Sequence, residues 1–168
     1  MNKKVLMVIA PADFRDEEYF DTRKVIEDNG NKVTVVNSTG QPSKSAFGKI
    51  VKPDGTLYNS NSKDFDAIVF VGGSGSEVYF KNQRALTLAK EFEREGKVVA
   101  AICIAPSILA NAGILKGRRA TSFPSERNNI NVTAIYTGAS VEIDDKIITA
   151  NGPQAAKEFG KRISEVLK

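Results

Sequence analysis

Val98-Val-Ala-Ala-Ile-Cys-Ile-Ala-Pro106 is the stretch whose reading decides the fold. Val98 to Ile102 are apolar without alternation, the pattern of a strand buried on both faces, as in a parallel sheet. Pro106 suits the first turn of a helix, because it has no N–H to leave unpaired and its φ is already set. Ala105, Ile108, Leu109 and Ala112 then recur at helical spacing, and Gly113 is a natural stop. Between strand and helix stands Cys103, the single cysteine of the chain. Ala101 and Ala105 flank it two positions away on either side. Small neighbours around a strand-to-helix turn are the pattern of a nucleophile elbow, where a sharp turn lifts a reactive side chain clear. A lone buried cysteine is more often a small hydrophobe of the core. The handover to Pro106 and the small flanking residues favour a reactive sulfur here.

The same alternation of strand and helix extends in both directions. Val5–Ala10 reads as a buried strand. Asp16–Asn29 reads as a helix, with acids in its opening turn, where the helix dipole prefers them, and Gly30 after its end. Lys32–Asn37 is a second strand. Residues 38–62, rich in Ser, Gly, Pro and Asn, read as an irregular excursion holding short hairpin strands near Ala46–Val51. Ala67–Val71 is a strand ending in Gly72-Gly73. Ala85, Leu88, Ala89 and Phe92 lie on one face of a helix closed by Gly96. After the cysteine segment a short strand is expected near Ala120–Ser122. A hairpin, Val141–Ile143 with Ile147–Thr149, turns around Asp144-Asp145. A last helix carries Ala156, Phe159, Gly160, Ile163 and Leu167. The expected fold class is α/β, a mostly parallel sheet with helices on both faces, in one domain over residues 1–168.

Composition narrows the function. The 24 basic and 20 acidic residues leave a net charge of +4 with no basic block, so nucleic-acid binding is not suggested. The apolar run after Met-Asn-Lys-Lys is too short for a membrane span or a signal segment, and acids follow it, so a cytoplasmic location is expected. One cysteine excludes an internal disulfide. The chain has no histidine. A metal site is therefore not expected, and no catalytic dyad or triad can use an imidazole of this chain. No cofactor is expected either. The first strand–helix turn has no glycine, Gly73 opens no dinucleotide fingerprint because Val78 stands at its sixth position, and no Walker lysine follows.

In an open parallel sheet ligands bind beyond the carboxyl ends of the strands. That edge gathers Glu18 from the first helix, Gly72-Gly73 and Cys103. The run Gly72-Gly73-Ser74-Gly75-Ser76 reads in three ways: a phosphate cradle, a plain turn, or a source of backbone N–H groups for an oxyanion beside the cysteine. Glu18 reads either as an acid of the site or as a solvated first-turn acid like Asp16 and Glu17. A helix N-terminus and backbone donors would hold the Cys103 thiol below its usual value of about 8.5 if Glu18 stays protonated through burial. An ionised Glu18 would push the thiol up instead.

The acid inside the first helix, the glycine pair, Ala-Ile-Cys-x-x-Pro before a helix ending Gly-x-Leu-x-Gly, and the closing Ile147-Ile-Thr-Ala-Asn-Gly-Pro153 together resemble the ThiJ/PfpI superfamily over nearly the whole chain. The resemblance implies a flavodoxin-like three-layer sandwich and a homodimer or larger homo-oligomer. It implies Cys103 as nucleophile, Glu18 as the carboxyl at its sulfur, and the Gly73 and Ile104 amides as oxyanion donors, with Gly72, Ala105 and Phe123 near the site. The chain departs from the family at three places. Ile104 stands where the PfpI-type proteases carry histidine after the cysteine. Phe123 stands where the deglycase-like branch has a histidine. Asn151 replaces the usual arginine before Gly-Pro. Proteolysis and amide hydrolysis are accordingly disfavoured. The expected function is that of a cysteine-dependent stress protein, a glyoxalase or deglycase acting on small reactive carbonyls through Cys103 and Glu18. The alternative is a redox sensor or chaperone-like protein with an oxidisable Cys103.

Overall fold

The structure, a computed structural model, describes residues 2–168; Met1, part of the N-terminal stretch read above, lies outside the described residues. The first part of the chain forms β1 (Lys4–Val8), β2 (Ala12–Phe14), α1 (Asp16–Asp28), β3 (Lys32–Asn37), β4 (Ser43–Ser45), β5 (Ile50–Val51) and β6 (Gly55–Thr56). Then follow β7 (Ala67–Phe70), α2 (Gln83–Arg94), β8 (Val98–Ile102), α3 (Pro106–Asn111) and β9 (Arg119–Ala120). The chain closes with α4 (Arg127–Asn131), β10 (Ile135–Tyr136), β11 (Val141–Asp144), β12 (Ile147–Ala150) and α5 (Ala156–Leu167).

Seven strands form the central sheet in the order β11-β12-β8-β7-β1-β3-β6, parallel throughout except for the β11–β12 hairpin. Strand alternation divides its side chains between two cores. Leu6, Val8, Ile68, Phe70 and Val99 face Leu88 and Phe92 of α2 and Ile108 and Leu109 of α3. Val5, Met7, Val69, Val98 and Ala100 face Tyr19 and Ile26 of α1 and Phe159 and Ile163 of α5. Both faces are covered, which is why these strands read as unbroken apolar runs. The five βα strands run β3-β1-β7-β8-β12, the flavodoxin-like order, with its reversal between β1 and β7.

The hairpin expected near Ala46–Val51 is formed by β4 and β5, but three details of the short elements were not legible in the sequence. β2 pairs with β4, and β4 with β5, in a separate three-stranded ladder over the carboxyl end of the sheet. The strand expected near 120–122 is only Arg119–Ala120, and it joins β10 rather than the main sheet. α4 spans five residues, too few for a periodic signal. Asp16 also departs from the reading of a solvated acid. It is buried, accepting from the Ser45 hydroxyl at 2.6 Å and from the Phe47 amide at 3.1 Å, and so pins the β4–β5 hairpin to the start of α1. Glu17 is half exposed and pairs with Arg15 at 2.8 Å.

α1 carries Glu18, and α5 holds α1 in place at Gly160. A Cβ there would sit 2.9 Å from the Thr22 carbonyl oxygen and 3.0 Å from Val25 Cβ. Gly160→Ala gains helix propensity of about 1 kcal/mol but overpacks a backbone contact at about 1–3 kcal/mol, so a net loss of about 1 kcal/mol is expected in urea unfolding. A stabilised variant would show that the helices separate freely.

Candidate active site

Cys103 lies between β8 and α3 with φ +66°, a left-handed conformation unusual for a residue with a Cβ. Its amide donates to the Ala150 carbonyl at 2.9 Å, and its carbonyl accepts from the Phe123 amide at 2.8 Å. These bonds on both sides fix the strained residue, as is common at functional turns. Pro106 opens α3 as the sequence predicts. Ala105 is fully buried behind the elbow.

Gly72 explains how the acid reaches the sulfur. A Cβ on Gly72 would strike the Glu18 Oε1 atom and the Ile102 carbonyl, and come within 2.6 Å of Cys103 Cβ. Only a residue without a side chain lets α1, β7 and β8 close together here. Gly73 has φ +99°, and a Cβ on it would meet the backbone of residues 13–15. Arg15 donates its amide to the Gly72 carbonyl at 3.0 Å. Gly75 packs its backbone directly on the Ala12 carbonyl. Of the three readings of this glycine run, close backbone packing accounts for Gly72 and Gly75. The Gly73 and Ile104 amides lie near enough to the Cys103 sulfur to favour its anion.

Glu18 is fully buried, and neither carboxyl oxygen has a hydrogen bond of proper geometry. Burial pushes its pKa from 4.5 up to about 7, against the smaller lowering effects of the neighbouring Cys103 thiol and the Arg15 charge. Burial likewise pushes the Cys103 thiol up to about 12, and the charge of Glu18 adds to the rise. The Gly73 and Ile104 amides pull the other way and lose. The expectation of a thiol below its usual value is therefore corrected. The helix following the cysteine has six residues, no side-chain cap and little dipole to offer. Near neutral pH the pair holds the thiol proton, and burial keeps Glu18 well above the ordinary carboxylate range.

A cavity of about 510 Å³ opens over this pair. Cys103, Glu18, Gly73, Ile104 and Phe123 all line it, joined by Arg15, Ala46, Glu77, Ser125, Glu126 and others. Phe123 is 43% exposed, lines the cavity and has its ring near Gly152. Arg15 and Ala46 come from the ladder around β2, which the sequence did not reveal. Glu126 stands three residues beyond Phe123, and that nearness was its one sequence signal. Among the described residues no group of His, Cys, Asp and Glu is arranged to hold a metal ion.

The family profile described as DJ-1/PfpI family matches residues 3–166. The chain belongs to the DJ-1/PfpI family. An uncharacterised protein of Methanocaldococcus jannaschii is 43% identical over 99% of this chain and 83% of its own length. A deglycase of Pyrococcus horikoshii is 31% identical over 98% of this chain and 99% of the relative. The crystal structure of a ThiJ/PfpI domain protein from Brachyspira murdochii superposes with a TM-score of 0.95 at 32% identity, covering 98% of this chain and 95% of that one. The three-layer α/β sandwich is thus the fold of the DJ-1/PfpI family. No helix among the described residues is long and apolar enough to cross a membrane.

Proposed function

We propose that the protein is a cytoplasmic, cysteine-dependent enzyme that converts small 2-oxoaldehydes, with Cys103 as nucleophile and Glu18 as proton carrier. The observation that carries this reading is Glu18: fully buried, unpartnered, beside the sulfur, and with its pKa raised to about 7. A base works best when its pKa lies near the working pH. With no histidine in the chain, a carboxylate is the group available to move the proton.

The thiol need not ionise in advance. As the sulfur bonds to the aldehyde carbon, the C=O electron pair moves onto oxygen, and the thiol proton passes to Glu18. The proton then reaches the alkoxide, giving a hemithioacetal. The Gly73 and Ile104 amides, free to follow the charge from sulfur to oxygen, stabilise the alkoxide. Glu18 next takes the proton from the former aldehyde carbon, forming an enediol as the neighbouring oxygen gains a proton, and then returns a proton to the neighbouring carbon while the first oxygen loses its own, leaving a thioester. Water cleaves the thioester to a 2-hydroxy acid and restores the thiol. The sum is oxoaldehyde plus water to hydroxy acid, with no external oxidant. The deglycase name of the Pyrococcus relative is consistent with chemistry on such carbonyl adducts.

The redox reading fits less well. Peroxide is attacked by a thiolate, and burial and Glu18 hold this thiol in its protonated form. Incubating the purified protein with methylglyoxal, without glutathione, tests the choice. Lactate should appear by NMR in many-fold excess over protein. Absence of lactate, together with rapid oxygen addition to Cys103 by mild peroxide, would replace the enzyme with the sensor.

A further inference from the structure

The reaction above leaves two carboxylates of the cavity, Glu77 and Glu126, without a task. Glu126 is firmly held. Its Oε1 accepts from the Ser107 hydroxyl at 2.7 Å, and its Oε2 accepts from the Ser125 hydroxyl at 2.9 Å. Ser107 is fully buried on α3, and the Asn129 amide donates to its oxygen at 3.0 Å. That bond occupies the hydroxyl as acceptor and leaves its proton for Glu126.

These partners are all neutral. Among the described residues no Lys or Arg forms an ion pair with Glu126 or Glu77. Arg127, next in the chain, has its guanidinium 5.7 Å over the Tyr136 ring. The cation that does line the cavity, Arg15, is gripped by Glu17 through two bonds of 2.8 and 3.3 Å. The floor adds the buried, unpartnered carboxyl of Glu18. The protein as a whole carries +4, yet the cavity over its nucleophile has an excess of negative groups.

We propose that this cavity selects electrophilic carbonyl compounds that carry a positive charge, such as amine- or guanidine-bearing aldehydes, and that Glu126 sets the preference with Glu77 in support. The proposal rests on the reading that Cys103 attacks a carbonyl carbon, and it names the class of substrate. Concave walls of low dielectric focus the field of unpaired charges, and a cation several ångströms from one carboxylate gains about tenfold in local concentration. Glu126 takes no part in bond making. It is a specificity-determining residue.

Two methanethiosulfonates of similar size and opposite charge, trimethylammonioethyl and sulfonatoethyl, test the proposal without any turnover. Each forms a mixed disulfide with the thiolate of Cys103, and methanesulfinate leaves. Because Cys103 is the single cysteine, the rate needs no mapping. Normalised to a free small thiol, the cationic reagent should react about tenfold faster in low salt. Glu126→Gln should cut that ratio about fivefold, Glu77→Gln less, and Glu126→Asp, which keeps the charge, should keep most of it. A ratio near one in the wild type, or a ratio indifferent to Glu126→Gln in a variant that melts as the wild type does, overturns the proposal. Methylglyoxal left intact with the ratio standing would remove the reaction and keep the preference. Methylglyoxal consumed with a ratio near one would do the reverse.

Discussion

Cys103→Ser should reduce methylglyoxal conversion by about a thousandfold or more, and Glu18→Gln by about a hundredfold or more. Serine keeps the size of the side chain but supplies a far weaker nucleophile, and no imidazole is present to activate it. Glutamine keeps the shape of Glu18 and loses the ability to take the thiol proton. Burial, the largest cause of the raised thiol, remains in this variant, so a site without that base still holds little thiolate at neutral pH. The wild-type kcat/KM should therefore climb through a midpoint near 7, where Glu18 ionises, and Glu18→Gln should lose that limb. Measuring kcat/KM between pH 5 and 9 for the three proteins decides the matter. A Glu18→Gln profile with the wild-type midpoint would mean that another group carries the proton.

The difference between what the sequence reveals and what it conceals has a physical basis. Val98–Ile102 is legible because burial on both faces of a parallel sheet leaves an unbroken apolar run. The elbow is legible because only small residues tolerate the crowding around Cys103. Glu18 could be assigned to the site from chain order, because a right-handed βαβ sheet puts the starts of its helices on one edge. Glu126, Arg15 and Ala46 were not legible, since each reaches the cavity from a short loop or a two- or three-residue ladder with no periodicity. The direction of the Cys103 shift was also hidden. It depends on a contest between desolvation and two amides, and the sequence names the contestants without giving their distances. Asp16 and Glu18 look alike in the first turn of α1, and both are buried. One is satisfied by Ser45 and Phe47, and the other has no partner. The unsatisfied acid is the one beside the nucleophile.

An acid buried without partners destabilises the fold that holds it, and this cost sets the second large effect. The folded-state pKa of Glu18 is raised from 4.5 to about 7, so the folded protein binds this proton more tightly than the unfolded chain does. The associated stability is fully present below pH 4.5 and is lost as pH rises through 7. The shift corresponds to about 3 kcal/mol. The other carboxylates titrate at the acid edge of that range and no histidine titrates inside it, so the fall is read between pH 6 and 8, where urea unfolding should show a loss of about 1–2 kcal/mol. Glu18→Gln removes the charge and keeps the volume. At pH 8 it should stabilise the protein by about 2 kcal/mol, less than the full shift because the new amide N–H groups also lack partners. For a chain of this size that is a rise of about 4–8 °C in Tm. The same substitution that nearly abolishes conversion should thus make the fold firmer, the relation expected where an active site stores an unsatisfied charge. A wild-type stability that is flat from pH 5 to 8, or a Glu18→Gln variant that melts below the wild type at pH 8, would show that the carboxyl is already satisfied in solution, and the proton-transfer role of Glu18 would lose its physical basis.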